Sequence, residues 1–197
     1  MMRRRQWFIS AFLFLISVIF LLFSKTLFTS GAPERNSALA LPAASECKAL
    51  LLPNREYYPY LKSFFQKAEK SIVGTVYLVK ANNYPDNEPS DLLRELIAAS
   101  KRNVQVEIVL ENSEDKDSLE SNRYAAQTLE KAGVHVRFDS ASIATHAKTF
   151  VIDGRYCFLG SHNLTHAAMS RNAELSIFLD SPEMAEKITN FIHQIPR

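Results

Sequence analysis

The sequence predicts an α/β fold built on a mixed β-sheet flanked by helices, and three observations carry that prediction. Short runs rich in Val, Ile, Phe and Tyr alternate along residues 47–197 with segments whose apolar residues recur at helical spacing. Between two of the apolar runs lies Asp153-Gly154, a strong hairpin-turn signal, so one strand pair is antiparallel and the sheet is not wholly parallel. At 47% hydrophobic and 22% charged residues, the chain can bury a sizeable core and does not have the composition of a disordered one.

Ahead of this region the chain reads differently. Met1 to Gln6 carries three arginines, and Trp7 to Phe23 is apolar apart from Ser10 and Ser17. As a helix this run would span roughly 26 Å, slightly less than a bilayer core but long for a secretory signal. Residues 1–28 are therefore expected to be an uncleaved single-pass membrane anchor, with a cleaved signal as the alternative. The arginines should stay cytoplasmic and send the domain outward; after cleavage it would be secreted or periplasmic. Residues 29–46, small and polar with Pro33 and Pro42, read as a linker, and 47–197 as the catalytic domain.

In that domain Ala49 to Leu52 is a short first strand ending at Pro53-Asn54. Tyr60 to Lys70 is helical, with Leu61, Phe64, Phe65 and Ala68 on one face. Ser71 to Val79 is a strand, and Ala81 to Glu88 a loop. Ser90 is expected to cap the next helix, which turns Leu92, Leu93, Leu96 and Ile97 inward. Val104 to Leu110 is a strand, and Glu111 to Asp117 a charged loop read as a solvated face. Ser118 to Ala132 is helical and stopped by Gly133. Val134 to Phe138 is a strand, leading through a Ser/Ala-rich loop to His146. Thr149 to Ile152 and Tyr156 to Leu159 form the hairpin. Ala173 to Leu179 is a further strand, and Pro182 to Ile195 a closing helix with Met184, Ile188 and Ile192 inward.

Charge and cysteine usage narrow the function classes. The formal net charge is +2, but the first 30 residues hold four basic groups and no acid. That leaves 19 basic against 21 acidic groups in the remainder, so bulk attraction to nucleic acid is not supported. Two cysteines are too few for a disulfide scaffold, and no C-x-x-C spacing exists. Cys157 reads as a buried core residue; a Cys47–Cys157 bridge would require an oxidising compartment.

The chemistry concentrates in residues 146–163, which begin His146-Ala147-Lys148 and form the pattern H-x-K-x4-D-x6-G-S-x-N ending at Asn163. All four later residues would accompany a given H-x-K by chance with a likelihood of roughly one in a hundred thousand. If Asp153-Gly154 fills the turn, His146 lies across from Ser161; a shift by one residue sets Lys148 opposite Ser161 and His146 opposite Asn163. Either register gathers an imidazole, an ammonium, a hydroxyl and an amide into a patch suited to a tetrahedral anion such as phosphate.

This run resembles the extended HKD motif of the phospholipase D superfamily, and the element order from about Cys47 resembles one phospholipase D-like sandwich repeat. The resemblance implies a phosphodiesterase that works through a phosphohistidine intermediate without metal or other cofactor. The implied catalytic residues are His146, Lys148, Asp153 and Glu174, and the implied phosphate-binding residues Lys148, Ser161 and Asn163. Turn chemistry alone accounts for Asp153, which is read as structural despite its place in the motif. The chain has one HKD motif where the chemistry needs two imidazoles, so a homodimer with a shared active site is expected. A zinc pair at His162 and His166 is disfavoured, since a third ligand and a base are wanted; His162 is placed at the border of the pocket. The expected substrate is a phospholipid headgroup, with an endonuclease acting on DNA or RNA as the alternative and a catalytically silent binding protein as a third reading.

Overall fold

The computed structural model describes residues 47–82 and 87–197. The expected anchor and linker, and residues 83–86 of the loop after the second strand, lie outside the described residues. No helix among the described residues is long and apolar enough to cross a membrane.

Among the described residues, seven strands form one sheet. In chain order the elements are β1 (Lys48–Pro53), a 3-10 turn (Asn54–Glu56), α1 (Tyr57–Lys67), β2 (Ser71–Val76), α2 (Glu88–Lys101), β3 (Gln105–Leu110), α3 (Lys116–Glu130), β4 (His135–Phe138), β5 (Thr149–Ile152), β6 (Tyr156–Gly160), α4 (His166–Ser170), β7 (Leu175–Asp180) and α5 (Pro182–Gln194). The strand order is β1-β7-β6-β5-β2-β3-β4. β2, β3 and β4 run parallel, whereas β5 meets β2 and β6 antiparallel and β7 meets β6 and β1 antiparallel. The sheet is therefore mixed, as the hairpin required.

Alternation along the strands sorts the core onto two faces. Ile72, Val76, Phe150, Ile152 and Phe158 join the cluster that receives Leu61 and Phe65 of α1 and Leu92 and Leu96 of α2. Val151, Cys157 and Leu179 point the other way, toward Ala185 of α5. Each large apolar side chain buried in this way contributes about 1.5–3 kcal/mol. Leu50 and Leu51 of edge strand β1 remain 40% and 59% exposed.

Helix ends follow local chemistry. The cap of α2 is Asn87, whose side chain accepts from Ser90 N, rather than Ser90 as expected; Ser90 sits in the first turn, and its hydroxyl, with one proton to give, stands within reach of both Asn82 O and Asn87 Oδ1. Asp115 and Ser181 cap α3 and α5 in the same manner. Gly133, at φ 82°, follows α3 in the left-handed conformation that ends a helix without steric cost. The short α4 is not expected from the sequence; five residues carry too little periodicity to signal a helix.

The hairpin register differs from both expected ones. Ile152 pairs with Tyr156 and Thr149 with Leu159, so the turn holds Asp153, Gly154 and Arg155 rather than two residues. Asp153 takes φ 55° and Gly154 φ 64°, a three-residue loop in which Arg155 N still reaches Ile152 O. His146 and Lys148 precede β5 instead of lying on it. Both cysteines are free thiols. Cys47 precedes edge strand β1, Cys157 lies on β6, and β7 separates those two strands.

Candidate active site

The topology brings one end of all seven described strands together. β2, β3 and β4 end there, antiparallel β5 begins there, β6 ends there, β7 begins there and β1 ends there. His146 and Lys148 lead into β5, Ser161 and Asn163 leave β6, and Glu174 precedes β7, so these five expected site residues share that end of the sheet. Asp153 sits at the other end.

His146 stands exposed beside the Tyr77 ring, with centroids 4.7 Å apart. Among the described residues, neither of its ring nitrogens has a hydrogen-bond partner, so both are available to a ligand. Lys148 is buried, at 5% exposure, and its Nζ lies 4.9 Å from the Tyr77 centroid while donating to His146 O at 2.6 Å. Burial pushes the ammonium below its usual range, and the carboxylates of Glu174 and Glu111 pull it back. Tyr77 thus contacts both motif residues, a role the sequence does not disclose because it reads as one more aromatic in a strand.

Glu174 and Ser161 form a second group. The Ser161 hydroxyl donates to Glu174 Oε2, and Asn172 Nδ2 donates to Oε1 at 3.0 Å. The Glu174 carboxylate is thus bonded to Ser161 and Asn172 rather than to His146. Asn54, in the left-handed conformation at φ 51°, accepts from Glu174 N at 3.0 Å through its side chain and donates to Glu174 O at 2.9 Å through its main chain. Asn163 is half-buried, and its Oδ1 is buried without a partner among the described residues. Leu164 beside it bridges Val79, which sets this segment against the one carrying Tyr77. An unpaired buried amide oxygen is costly and suits a residue awaiting a ligand.

The motif glycine has a packing cause. A Cβ on Gly160 would overlap Ser176 and the main chain of Leu175, so only glycine lets β6 approach β7 closely enough to set Ser161 against Glu174.

His162 is not a pocket residue. It is 1% exposed, stacks on Tyr57 at 4.3 Å, and has both nitrogens engaged: Nε2 donates to Asn54 O at 2.9 Å, which leaves Nδ1 to accept from Ser176 Oγ at 2.7 Å. Burial holds its pKa below the usual range, against the Asn54 carbonyl and Glu174. His166 instead meets Glu88 at 2.7 Å. No group of metal-ligating side chains converges among the described residues.

The carboxylate of Asp153 accepts from three consecutive amides: Glu69 N at 3.1 Å, Lys70 N at 2.7 Å and Ser71 N at 3.0 Å. It pins the hairpin turn to the start of β2, at the end of the sheet away from His146.

The loop expected to be a solvated face begins with a buried acid. Glu111 is 4% exposed and accepts from Thr145 N, because the parallel strand β3 ends under the segment that carries His146. Asp139, 3% exposed, accepts from the same amide at 3.1 Å and from Asn112 N at 2.6 Å. Beneath them Asn122 of α3 is fully buried: it accepts from Val79 N and donates to Tyr77 O and Glu111 O, closing the ends of β2 and β3.

The family model described as cardiolipin synthase, PLD-like domain, matches residues 61–195. The phospholipase D of Rickettsia conorii is 28% identical over 168 residues, covering 84% of this chain and 77% of its own length. That of Rickettsia bellii is 35% identical over 91 residues, covering 46% of this chain and 43% of its own length. The crystal structure of Nuc, a phospholipase D family member from Salmonella typhimurium, superposes with a TM-score of 0.65 at 25% identity, over 76% of this chain and 94% of that one.

Proposed function

This chain belongs to the phospholipase D superfamily and is a phosphodiesterase-type enzyme of it; from that premise we propose that it hydrolyses phospholipid headgroup phosphodiesters through a phosphohistidine on His146. The observation that carries the proposal is an exposed imidazole with both nitrogens unpartnered among the described residues, backed by a buried ammonium whose Nζ is bonded to the same residue's carbonyl. A neutral His146 nitrogen attacks phosphorus, forming an N–P bond as the P–O bond to the leaving group breaks. A second, protonated imidazole gives its proton to that oxygen, then takes one from a water whose oxygen attacks phosphorus, forming a P–O bond as the N–P bond breaks and frees His146. Lys148 and Asn163 hold the phosphoryl oxygens, Ser161 adds its hydroxyl, and Glu174 orients this group.

The second imidazole comes from another copy. His162 has both nitrogens engaged, His166 and His193 face Glu88 and Glu107, and His135 begins β4 at the far end of the sheet. We assign the role to the partner subunit's His146, in a homodimer with a two-fold shared site. Residues 7–23 would hold this assembly at a membrane, with the domain on the extracytoplasmic side.

The surroundings of the site favour lipid. Ile143 and Phe191, 46% and 51% exposed, line a cavity of about 350 Å³ that includes His146. A neighbouring cavity of about 390 Å³ is walled by Leu159, Ile188 and Phe191 beside Lys148. On the other side Glu111, Glu114 and Asp115 would repel a polyanion. The second reading, which the motif chemistry leaves open, is cleavage of nucleic acid phosphodiesters. Side-by-side turnover of labelled phospholipid vesicles, DNA and RNA by the full chain tests the choice. Lipid turnover that tolerates salt is expected; faster nucleic-acid cleavage with steep salt inhibition overturns it.

A further inference from the structure

We propose that Glu111 and Asp139 are positioning residues for the nucleophile: a buried carboxyl pair that shares one proton, grips the Thr145 amide and so fixes where His146 stands. The proposal rests on the reading of His146 as nucleophile.

The geometry starts from one donor. Glu111 Oε2 and Asp139 Oδ2 both accept from Thr145 N, so the two oxygens lie against each other. Both side chains are almost wholly buried. Two full negative charges this close would repel strongly where water cannot screen them, whereas a single proton between them converts the repulsion into a hydrogen bond. The groups around the pair fit one net negative charge. Lys148 is the cation facing it from the segment before β5, Tyr77 lies beside it after β2, and Asn122 of α3 donates to the Glu111 main chain. Glu114 and Asp115 line the same cavity and add further negative potential, which opposes full ionisation. Burial, the hydrogen bond to Asp139 and the Asp139 charge push Glu111 up to about 7, against the pull of the Thr145 amide and Lys148.

The pair bears on function through the chain it holds. After Asp139 the chain is tied at Ser140 N to Pro196 O, then runs exposed through residues 141–144. Thr145 is the next residue anchored to the body of the domain, and His146 comes directly after it. Lys148 grips the His146 carbonyl from the other side. Loss of the shared proton would set the two carboxylates against each other and slacken this grip, lowering turnover on the alkaline side.

The test compares Glu111→Gln and Glu111→Ala in the full chain. An amide can still accept from Thr145 and donate to Asp139 without ionising. Glu111→Gln is therefore expected to keep kcat within about twofold at neutral pH while its alkaline limb becomes shallower by one proton. Glu111→Ala is expected to lower kcat about tenfold or more with KM nearly unchanged, as a misplaced nucleophile requires. The Thr145 amide resonance of isotope-labelled protein should titrate near neutrality in the parent and not in Glu111→Gln. That readout does not depend on His146 chemistry, so failure of the nucleophile assignment and failure of this inference are separable. An alkaline limb identical in parent and Glu111→Gln, a Thr145 amide that does not titrate, or parental kcat in folded Glu111→Ala would each overturn it.

Discussion

Lys148 Nζ donates to the carbonyl oxygen of His146 at 2.6 Å, so the cation and the imidazole of the motif are held to one another through the main chain. The lysine therefore has two jobs: it supplies positive charge for phosphoryl oxygens and fixes the backbone that carries the nucleophile. Lys148→Met should remove both and lower kcat by about 100-fold or more. Lys148→Arg should recover little, because a planar guanidinium does not fit a pocket shaped for an ammonium beside Tyr77. Steady-state kinetics on both variants checks this.

Asp153 is a structural member of the motif. Removing its carboxylate frees the amides of Glu69, Lys70 and Ser71. Asp153→Ala is expected to lower stability by about 2–3 kcal/mol in denaturant unfolding, while kcat per folded molecule stays near the parental value. A large loss of kcat in well-folded protein would return Asp153 to the chemistry.

Gly160→Ala should be costly although it adds one methyl group. The new Cβ would drive β6 from β7 at Ser176 and Leu175 and separate Ser161 from Glu174. Destabilisation of about 1–3 kcal/mol, together with a drop in kcat, is expected from melting curves and kinetics on the same sample.

Glu111 ties stability to pH. Its folded pKa is raised to about 7, above that of the unfolded chain, so the folded state holds its proton more tightly. Its favourable contribution is fully present below the unfolded carboxyl range and is lost as pH rises through about 7. The parent should therefore lose stability across that interval relative to Glu111→Gln, and melting temperatures of the two proteins measured from acid to neutral pH check the sign.

Much of the fold is legible in residue patterns. The alternation of β-branched runs with amphipathic segments locates every described strand and all the longer described helices. The hairpin register is not legible, because Asp153 and Gly154 both adopt positive φ and Arg155 joins the turn, which a two-residue signal does not disclose. The motif brings His146, Lys148, Ser161, Asn163 and Glu174 to one end of the sheet. Tyr77, Glu111 and Asp139 escape a sequence reading for a physical reason: each comes after a different parallel strand, and only the sheet order makes them neighbours. The charge of Glu111 suggests solvent exposure; its burial arises from the chain that crosses above it at Thr145.

The proposed chemistry turns on a covalent intermediate on His146, and trapping that intermediate tests it directly. The full chain is mixed with a radiolabelled phosphodiester, quenched within the first turnovers and analysed for label on protein. Label that survives base, is lost in acid, maps to His146 and is absent from His146→Asn is the predicted result. Sustained turnover by His146→Asn, or label on another residue, would contradict the account.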